Sequence, residues 1–329
     1  MMRDLVKRIN IGFLMLFVCT GFLWAGDGQI DIAYLPFTIS QSGSYVVVAN
    51  LTLSTTNTNG ITISADNVTL DLNGHTLKGP GNTTGSFGSC IDFNSYSYNV
   101  VIRNGIIQNW RGSGIDGFEI GVRGANNCNI ESLQCYYNGE NGIYVSFNCI
   151  IKDNICLYNG KIGIFTRDAS LITNNVCKGN TLQGISANSS SCITGNTCSS
   201  NGGTGISVVN GNTVELNTCS FNTGTGIEIY GGNLVINNNC YYNGYMTGNG
   251  AGINVGDYGT QNCIENNLVS MNDRGIDCNP ATNNYIAGNR ANGNTTDYDF
   301  AAGNTYGLIV DGTGGGSIAT SNHFANIRF

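Results

Sequence analysis

Proline, histidine and charged side chains are all scarce in this sequence. Its 329 residues include 3 Pro and 2 His, and only 11% are Asp, Glu, Lys or Arg. So little Pro excludes a Pro-rich disordered chain, and the low Lys and Glu content argues against exposed helices. The formal net charge of −7 disfavours nucleic acid, which requires clustered Lys and Arg, and it also disfavours anionic membrane surfaces.

Glycine, in contrast, is abundant. The chain has 47 Gly and 41% hydrophobic residues, which is enough apolar material to build a core. Because an interior Gly costs a helix about 1 kcal/mol relative to Ala, this composition disfavours a helical protein. It favours many short strands joined by turns rich in Gly and Asn.

The first 25 residues have the pattern of a secretory signal peptide. Basic residues are followed by an apolar stretch over 11–26, and Ala25 is a small residue near a plausible cleavage point. We therefore expect an exported protein that is secreted, periplasmic or on the cell surface, with no membrane insertion after cleavage. A lipoprotein that uses Cys19 is the alternative.

A period of 21 residues runs through much of the chain. Gly-Ile or Gly-Val pairs, single apolar residues, Cys and Asn each recur at this interval. The columns are Gly121 to Gly226, Ile130 to Val235, Cys135 to Cys240, Asn138 to Asn243 and Asn154 to Asn238. The repeat is too short for a two-helix unit, and it lacks the 3.6-residue stripe of an amphipathic helix.

These columns predict an all-β fold, a right-handed parallel β-helix. Each rung of such a solenoid places a residue about 4.8 Å above its counterpart, so about eleven rungs would extend for about 50 Å. An Asn at a bend can bond to the backbone and to the next Asn, and Gly supplies positive φ at turns. We expect one domain over 26–329, capped by 28–58 and 305–329, and a monomer.

Twelve of the 13 cysteines follow the signal segment. Disulfides are the first expectation for an exported protein. However, Cys residues stacked on adjacent rungs have Cβ atoms about 4.8 Å apart, whereas a disulfide requires about 3.8 Å. We therefore interpret Cys135 to Cys240 as a buried column of free thiols in the place of Ile. Cys128 and Cys149 are a candidate bridge, and a soft-metal site along the thiols is a further alternative.

Acidic residues in the C-terminal third form a first candidate site. Strand alternation turns the residue after each Gly-Ile pair outward. This pattern predicts that Glu228 and Asp277 lie two rungs apart, about 9.6 Å, with Asn254 between them and Tyr230 beside them. Carboxylates about 6.5–9.5 Å apart are typical of inverting glycosidases, so Glu228 and Asp277 are catalytic candidates. Asn254 and Tyr230 are substrate-binding candidates, and the alternative is a solvated strand face.

A second candidate site lies where long segments over 79–89 and 110–121 interrupt the period. Loops on a rigid scaffold commonly carry function, and exposed aromatic rings can stack on sugars. The substrate-binding candidates here and along the outward column are Trp110, Asp116, Arg123, Asp92, Tyr144 and Phe165. The alternative is a decorated loop without a ligand.

Three stretches resemble a known family. NTCSSNGGTGISV (196–208) is similar to the repeat of pectin-lyase-like right-handed β-helices of the NosD-like and CASH (carbohydrate-binding and sugar hydrolase) type. ISQSGSYVVVANLTLS (39–54) and TSNHFANI (320–327) resemble the opening and closing segments of such proteins. The resemblance covers residues 30–329 and implies the fold and a polysaccharide or cell-surface glycan as partner. The similarity to NosD-like proteins implies an accessory protein for metal maturation that handles copper.

Catalytic motifs of that superfamily are missing from the sequence. It has no Asn-Thr-Asp, Asp-Asp or Gly-His-Gly of polygalacturonase-like enzymes. Asp273, Arg274 and Asp277 partly match the acidic Ca²⁺ ligands and catalytic Arg of pectate-lyase-like enzymes, so Ca²⁺ is the one cofactor considered, and no metal ligand is assigned. The first hypothesis is therefore a non-catalytic, exported β-helix that binds polysaccharide or has a surface role. The alternatives are a polysaccharide lyase, hydrolase or epimerase, and the copper accessory.

Overall fold

Parallel β-strands make up all the regular structure in the part of the chain that the computed structural model describes. That part comprises residues 28–81, 88–93, 97–116, 125–244, 250–315, 318 and 320–329. The predicted signal peptide lies outside it. The chain winds into a parallel β-helix, and the predicted fold class is confirmed.

Each regular rung has three faces. In one rung they are Ile150–Lys152 (face 1), Ile155–Leu157 (face 2) and Ile164–Asp168 (face 3). Each strand pairs in register with its counterparts on the neighbouring rungs, for example Ile164 with Ile143 and Ile185. The apolar side chains therefore stack on the inside of the coil.

Three bends separate the faces. Bend 1 joins faces 1 and 2 at 153–154, bend 2 follows face 2 at 158–159, and bend 3 follows face 3 at 169–170. The first residue of each bend has a left-handed conformation: φ is 58° at Asp153, 53° at Tyr158 and 54° at Ala169. This local conformation turns the chain through the corner and directs the following side chain inward.

Face 3 is a 12-stranded sheet, against about eleven rungs predicted. Its strands are Phe37–Ile39, Ile61–Ile63, Ile91–Phe93, Ile115–Asp116, Ile143–Tyr144, Ile164–Asp168, Ile185–Ser189, Ile206–Asn210, Ile227–Gly231, Ala251–Val255, Arg274–Cys278 and Thr296–Phe300.

Faces 1 and 2 together form a 24-stranded sheet, because Val101–Gln108 and Asn129–Tyr136 run through both. The other strands of face 1 are Ile30–Ile32, Gly43–Val47, Val68–Asp71, Ile150–Lys152, Leu171–Thr173, Cys192–Thr194, Thr213–Glu215, Leu234–Ile236, Cys263–Glu265, Tyr285–Ala287 and Thr305–Tyr306. Those of face 2 are Leu51–Thr52, Thr76–Lys78, Ile155–Leu157, Val176–Lys178, Thr197–Ser199, Thr218–Ser220, Asn239–Tyr241, Leu268–Ser270, Arg290–Asn292, Ile309–Asp311 and Asn326–Arg328. Ser97–Tyr98 and Ala125–Asn126 form a separate pair.

The two segments predicted as caps contribute strands to the coil. Ile30–Ile32 and Gly43–Val47 pair with each other and continue face 1. At the other end, Ile309–Asp311 pairs with Asn326–Arg328, which in turn pairs with Arg290–Asn292. The parallel ladder therefore extends into both terminal segments.

The cysteine column is confirmed. Cys135 and its partners to Cys240 pair in register along face 2, and each is 0% exposed and free. Burial raises the pKa of the Cys177 and Cys240 thiols well above the ordinary value, which keeps them uncharged. Cys128 and Cys149 are likewise free and buried, so the candidate bridge between them is not formed.

We predict that the six thiols from Cys135 to Cys240 titrate as free thiols without reductant once the protein is denatured. In the native protein these thiols should react far more slowly, because each is buried and out of reach of the reagent. Titration with a thiol reagent, with and without guanidinium, measures both quantities. Fewer than six reactive thiols in denaturant would contradict the column.

The glycines of the Gly-Ile pairs have a different role from the predicted one. Positive φ occurs at bend glycines such as Gly179, where φ is 67°. In the Gly-Ile column, glycine is required because there is no room for a side chain. A Cβ on Gly184 would lie 2.7 Å from the carbonyl oxygen of Gly205 and 2.8 Å from Nδ2 of Asn201. Any side chain here would push the rungs apart.

The first member of this column was also wrongly assigned. Ile115 pairs with Ile143, so the rung there spans 28 residues and its Gly-Ile pair starts at Gly114, not at Gly121. Gly121 lies outside the described residues.

Ladders of asparagine occupy the inside of the bends. At bend 1, Oδ1 of Asn196 accepts the backbone N–H of Asn175 (2.9 Å) and its Nδ2–H (3.0 Å). Nδ2 of Asn196 in turn donates to the carbonyl oxygen of Ile172 (2.9 Å) and to Oδ1 of Asn217 (3.0 Å). Each amide thus satisfies buried polar groups on the rungs before and after it.

Bends 1 and 2 confirm the two predicted Asn columns, and bend 3 adds a third that the sequence analysis missed. Asn233 there bonds to Asn262 in the same way. On the rungs nearer the N-terminus, serine replaces asparagine in this third ladder. Oγ of Ser170 and Oγ of Ser191 each accept a backbone N–H from the preceding rung. The ladders are Asn154 to Asn326 at bend 1, Asn138 to Asn294 at bend 2, and Ser170 to Asn304 at bend 3. The bend 2 ladder ends where Nδ2 of Asn294 donates to Oδ1 of Asp297 (2.9 Å).

Replacing a ladder amide should cost far more stability than replacing an outward-facing one. Asn196→Ala orphans buried donors and acceptors on both neighbouring rungs, at about 1–3 kcal/mol each, so we expect a loss of about 3 kcal/mol or more in unfolding free energy. The matched control is Asn188→Ala, since Asn188 faces outward on Ile185–Ser189 and is half-buried. Denaturant unfolding measures both variants, and equal losses would contradict the role of the ladder.

Candidate functional site

The outward column of face 3 contains most of the predicted site residues. The strand register places them on successive strands in the order Asp92, Asp116, Tyr144, Phe165, Ser186, Ser207, Glu228, Asn254, Asp277 and Asp299. Arg123 was expected in this outward column, between Asp92 and Tyr144. That assignment was wrong, because Asp116 holds this position.

At the N-terminal end of the column, Asp92 bonds within the protein. Its Oδ2 accepts Nδ2–H of Asn59 at 2.8 Å. Asp116 lies next to Asp92 in the strand register, but its side chain, like all of Arg123, is outside the described residues. Of the candidates predicted in this loop cluster, the side chains of Asp92 and Trp110 are described.

Tyr144 and Phe165 form an aromatic pair on the next two strands. Their ring centroids are 4.7 Å apart and the rings meet edge to face at 84°. Both side chains are half-buried, so this pair covers the middle of face 3 with apolar surface. A sugar could reach the exposed parts of the rings.

The two catalytic candidates are two strands apart, as predicted. Glu228 pairs with Asn254, and Asn254 pairs with Asp277. Oε2 of Glu228 accepts the hydroxyl of Ser207 at 3.3 Å. The charge of Glu228, together with partial burial and Asp257, raises the pKa of Tyr230, which is 39% exposed beside it.

Asp277 differs from the solvent-facing acid that was predicted. It is only 4% exposed, and its oxygens accept Nη1–H of Arg274 (2.6 Å) and the backbone N–H of Asn279 (3.0 Å). Burial raises its pKa, against the opposing effects of Asn279 and Arg274. Because Arg274 occupies the carboxylate, Asp273, Arg274 and Asp277 do not fit a Ca²⁺ site, which requires several free oxygen ligands.

Trp110 was predicted to be exposed, and this is wrong. It is 1% exposed, and its indole N–H donates to the carbonyl oxygen of Leu77 at 3.1 Å. Its backbone N–H donates to Oδ1 of Asn138 at 3.2 Å, so Trp110 occupies the ladder position of bend 2 one rung before Asn138. The ring fills the core there and cannot stack on a sugar.

A groove on bend 2 was missed by the sequence analysis. It has a volume of about 540 Å³ and lies between the aromatic rings of Tyr137 and Tyr158 and the charged residues Arg111 and Glu140. Gly139 and Gly160 also line it, and their backbone has no side chain to cover it. The groove therefore combines apolar ring surface with polar backbone and charged side chains.

The two tyrosines of the groove are stacked and open to solvent. Their ring centroids are 5.4 Å apart with an interplanar angle of 12°, and they are 58% and 45% exposed. Both occupy the left-handed first position of bend 2, which projects a side chain out from the corner. The residue type varies along this column, so it does not stand out as a row of identical residues in the sequence. Two aromatics one period apart were the available signal.

Charged groups also lie at the groove. Nζ of Lys161 lies 2.7 Å from Oε1 of Glu140, and this ion pair is about half exposed. Arg111 adds a second cation. Among the described residues no three His, Cys, Asp or Glu side chains converge on a point where they could hold a metal ion.

The winding and the stacked bends define a class of protein, the parallel β-helices. The family model for the right handed beta helix region matches residues 37–194 and 183–329, so the chain belongs to this family. No match is found among curated proteins. In the described residues, no helix is long and apolar enough to cross a membrane.

Solved structures with a similar fold include the A-module of mannuronan C-5 epimerase AlgE6 from Azotobacter vinelandii. The TM-score is 0.70 at 17% identity, over 84% of this chain and 87% of that one. The A-module of AlgE4 from the same organism gives 0.61 at 14% identity, over 84% and 88%. The Dettilon tailspike protein gives 0.53 at 13% identity, over 91% of this chain and 61% of that one. At these identities the likeness establishes the fold.

Proposed function

We propose that this protein is an exported, non-catalytic β-helix that binds polysaccharide, with the bend 2 groove as its contact. The observation that carries the proposal is the stacked, solvent-exposed pair Tyr137 and Tyr158 beside a groove of about 540 Å³. Aromatic faces pack against the C–H faces of sugars, while Arg111, Glu140 and the exposed backbone offer partners for hydroxyl groups. The partner would be a free polysaccharide or a cell-surface glycan, bound by a monomer without a cofactor.

Three further observations support parts of this proposal: two bear on the absence of catalysis and one on the polysaccharide partner. The sequence lacks the catalytic motifs of the polygalacturonase-like enzymes, and Asp277 is engaged by the protein's own donors. Two of the structures with a similar fold are named as epimerases of mannuronan, a polysaccharide.

Tyr158→Ala should weaken polysaccharide binding about tenfold, since it removes one face of the aromatic pair. Retardation in gels that contain pectate, polymannuronate or dextran measures the affinity. The matched control is Tyr258→Ala, because Tyr258 is 93% exposed and is not part of the groove. Equal retardation of both variants would exclude the groove as the contact, and no retardation of the wild type by any polymer would argue against the function itself.

A carbohydrate-active enzyme is the second candidate function. The observation that favours it is the alignment of Glu228, Asn254 and Asp277 on three adjacent strands of face 3. Burial raises the pKa of Asp277, as a general acid would require, whereas the ion pair with Arg274 opposes that role.

If the enzyme hypothesis is correct, Glu228→Gln and Asp277→Asn should each reduce sugar release or epimerisation on acidic polysaccharides by at least about 100-fold. Reducing-end assays and proton NMR of the product measure these reactions. Glu215→Gln on face 1 is the control, as this acid also faces outward. Wild-type turnover in both site variants, with unchanged melting temperatures, would remove this site.

A further inference from the structure

Bend 2 of successive rungs forms an edge along the coil, and aromatic side chains lie at two places on this edge. The first position of this bend carries, on successive rungs, Tyr137, Tyr158, Gly179, Ser200, Phe221 and Tyr242. All six have positive φ between 53° and 67°. Their side chains, except for Gly179, which has none, therefore leave the backbone in similar directions. The groove described above lies at the first of the two aromatic pairs.

The second aromatic cluster consists of Phe221, Tyr241 and Tyr242. Phe221 is 51% exposed and Tyr241 38% exposed. The centroid of the Phe221 ring lies 5.3 Å from that of Tyr241 and 5.4 Å from that of Tyr242. Apolar ring surface is thus presented to solvent a second time along the same edge.

Small residues line the edge between the two clusters. Gly179 lies under the ring of Tyr158, because a Cβ there would be 2.5 Å from that ring. Ser200 is the next residue in the column, and the neighbouring column continues from Gly160 through Thr181 to Gly202. No large side chain of these two columns blocks a path from Tyr158 to Phe221.

The length of this path is set by the rungs. Three rung steps separate Tyr158 from Phe221, about 14 Å, and five separate Tyr137 from Tyr242, about 24 Å. One sugar residue of an extended chain is about as long as one rung step, so the path would accommodate about five sugar residues.

Among the described residues, cations outnumber acids along the first part of the edge. Arg111 and Lys161 lie at the groove, and exposed Lys178 ends the face 2 strand that leads to Gly179. Glu140 is the acid paired with Lys161. In a chain of net charge −7, this local excess of cations complements a polyanion.

We propose that a linear acidic oligosaccharide of about five residues lies along bend 2, parallel to the coil axis, with its ends on the Tyr137–Tyr158 and Phe221–Tyr242 rings. This inference rests on the proposed function and adds the ligand's charge, length and direction. It assigns the contact to a corner of the coil, away from the broad face 3 that carries the catalytic candidates.

The test compares a uronic-acid dimer and a uronic-acid hexamer by isothermal titration calorimetry. Wild-type protein should bind the hexamer at least about tenfold more tightly than the dimer, because the hexamer alone reaches both clusters. The double variant Phe221→Ala/Tyr242→Ala should lose this advantage while its affinity for the dimer stays unchanged. Tyr258→Ala is again the control, and a neutral hexamer of mannose should bind more weakly than the uronate at low salt.

The outcomes separate this inference from the proposed function. If wild-type protein binds both oligomers equally, or if the double variant keeps its affinity for the hexamer, the extended path is wrong although glycan binding stands. Equal affinity for neutral and acidic hexamers would overturn the charge preference. If neither uronates nor a broad set of polysaccharides bind, the proposed function fails as well. Melting temperatures verify that the variants are folded.

Discussion

The hydrogen-bonded amide ladder at each bend is the interaction on which this coil depends. A sharp corner places backbone N–H and C=O groups inside the protein, where an unpaired group is costly. Asn has a donor pair and an acceptor in one short side chain, so it can satisfy the corner below and the corner above at once. Asn196 does so with Asn175, Asn217 and Ile172. The flat faces between the bends can then be short and apolar.

Much of this architecture could be predicted, because a period of 21 residues turns chain position directly into a spatial column. The cysteine column and two Asn ladders follow from that rule alone. The rule fails where the rung length changes, as between Ile115 and Ile143, which are 28 residues apart. It also fails where the residue type changes, as in the third ladder, which passes from Ser191 to Asn212.

The site was less predictable, for a physical reason. Periodicity states which residues share a column, but exposure depends on the neighbours that cover them. Trp110 sits in a long connecting segment, yet its ring is buried and bonded to Leu77. Asp277 faces outward on its strand, yet Arg274 covers it. Conversely, Tyr137 and Tyr158 protrude because a left-handed corner residue points away from the core.

The direction of the ladders has an electrical consequence. In each ladder bond, one Nδ2–H points toward the C-terminal end and meets an Oδ1 that points toward the N-terminal end, so the side-chain amides of a row are aligned dipoles. Partial charges cancel within such a row and remain at its ends, as they do in an α-helix. The C-terminal end of the bend 2 row is therefore partially positive, and the carboxylate of Asp297, which accepts from Asn294, supplies the compensating negative charge there. The coil is thus polarised along its length, with chemically different ends.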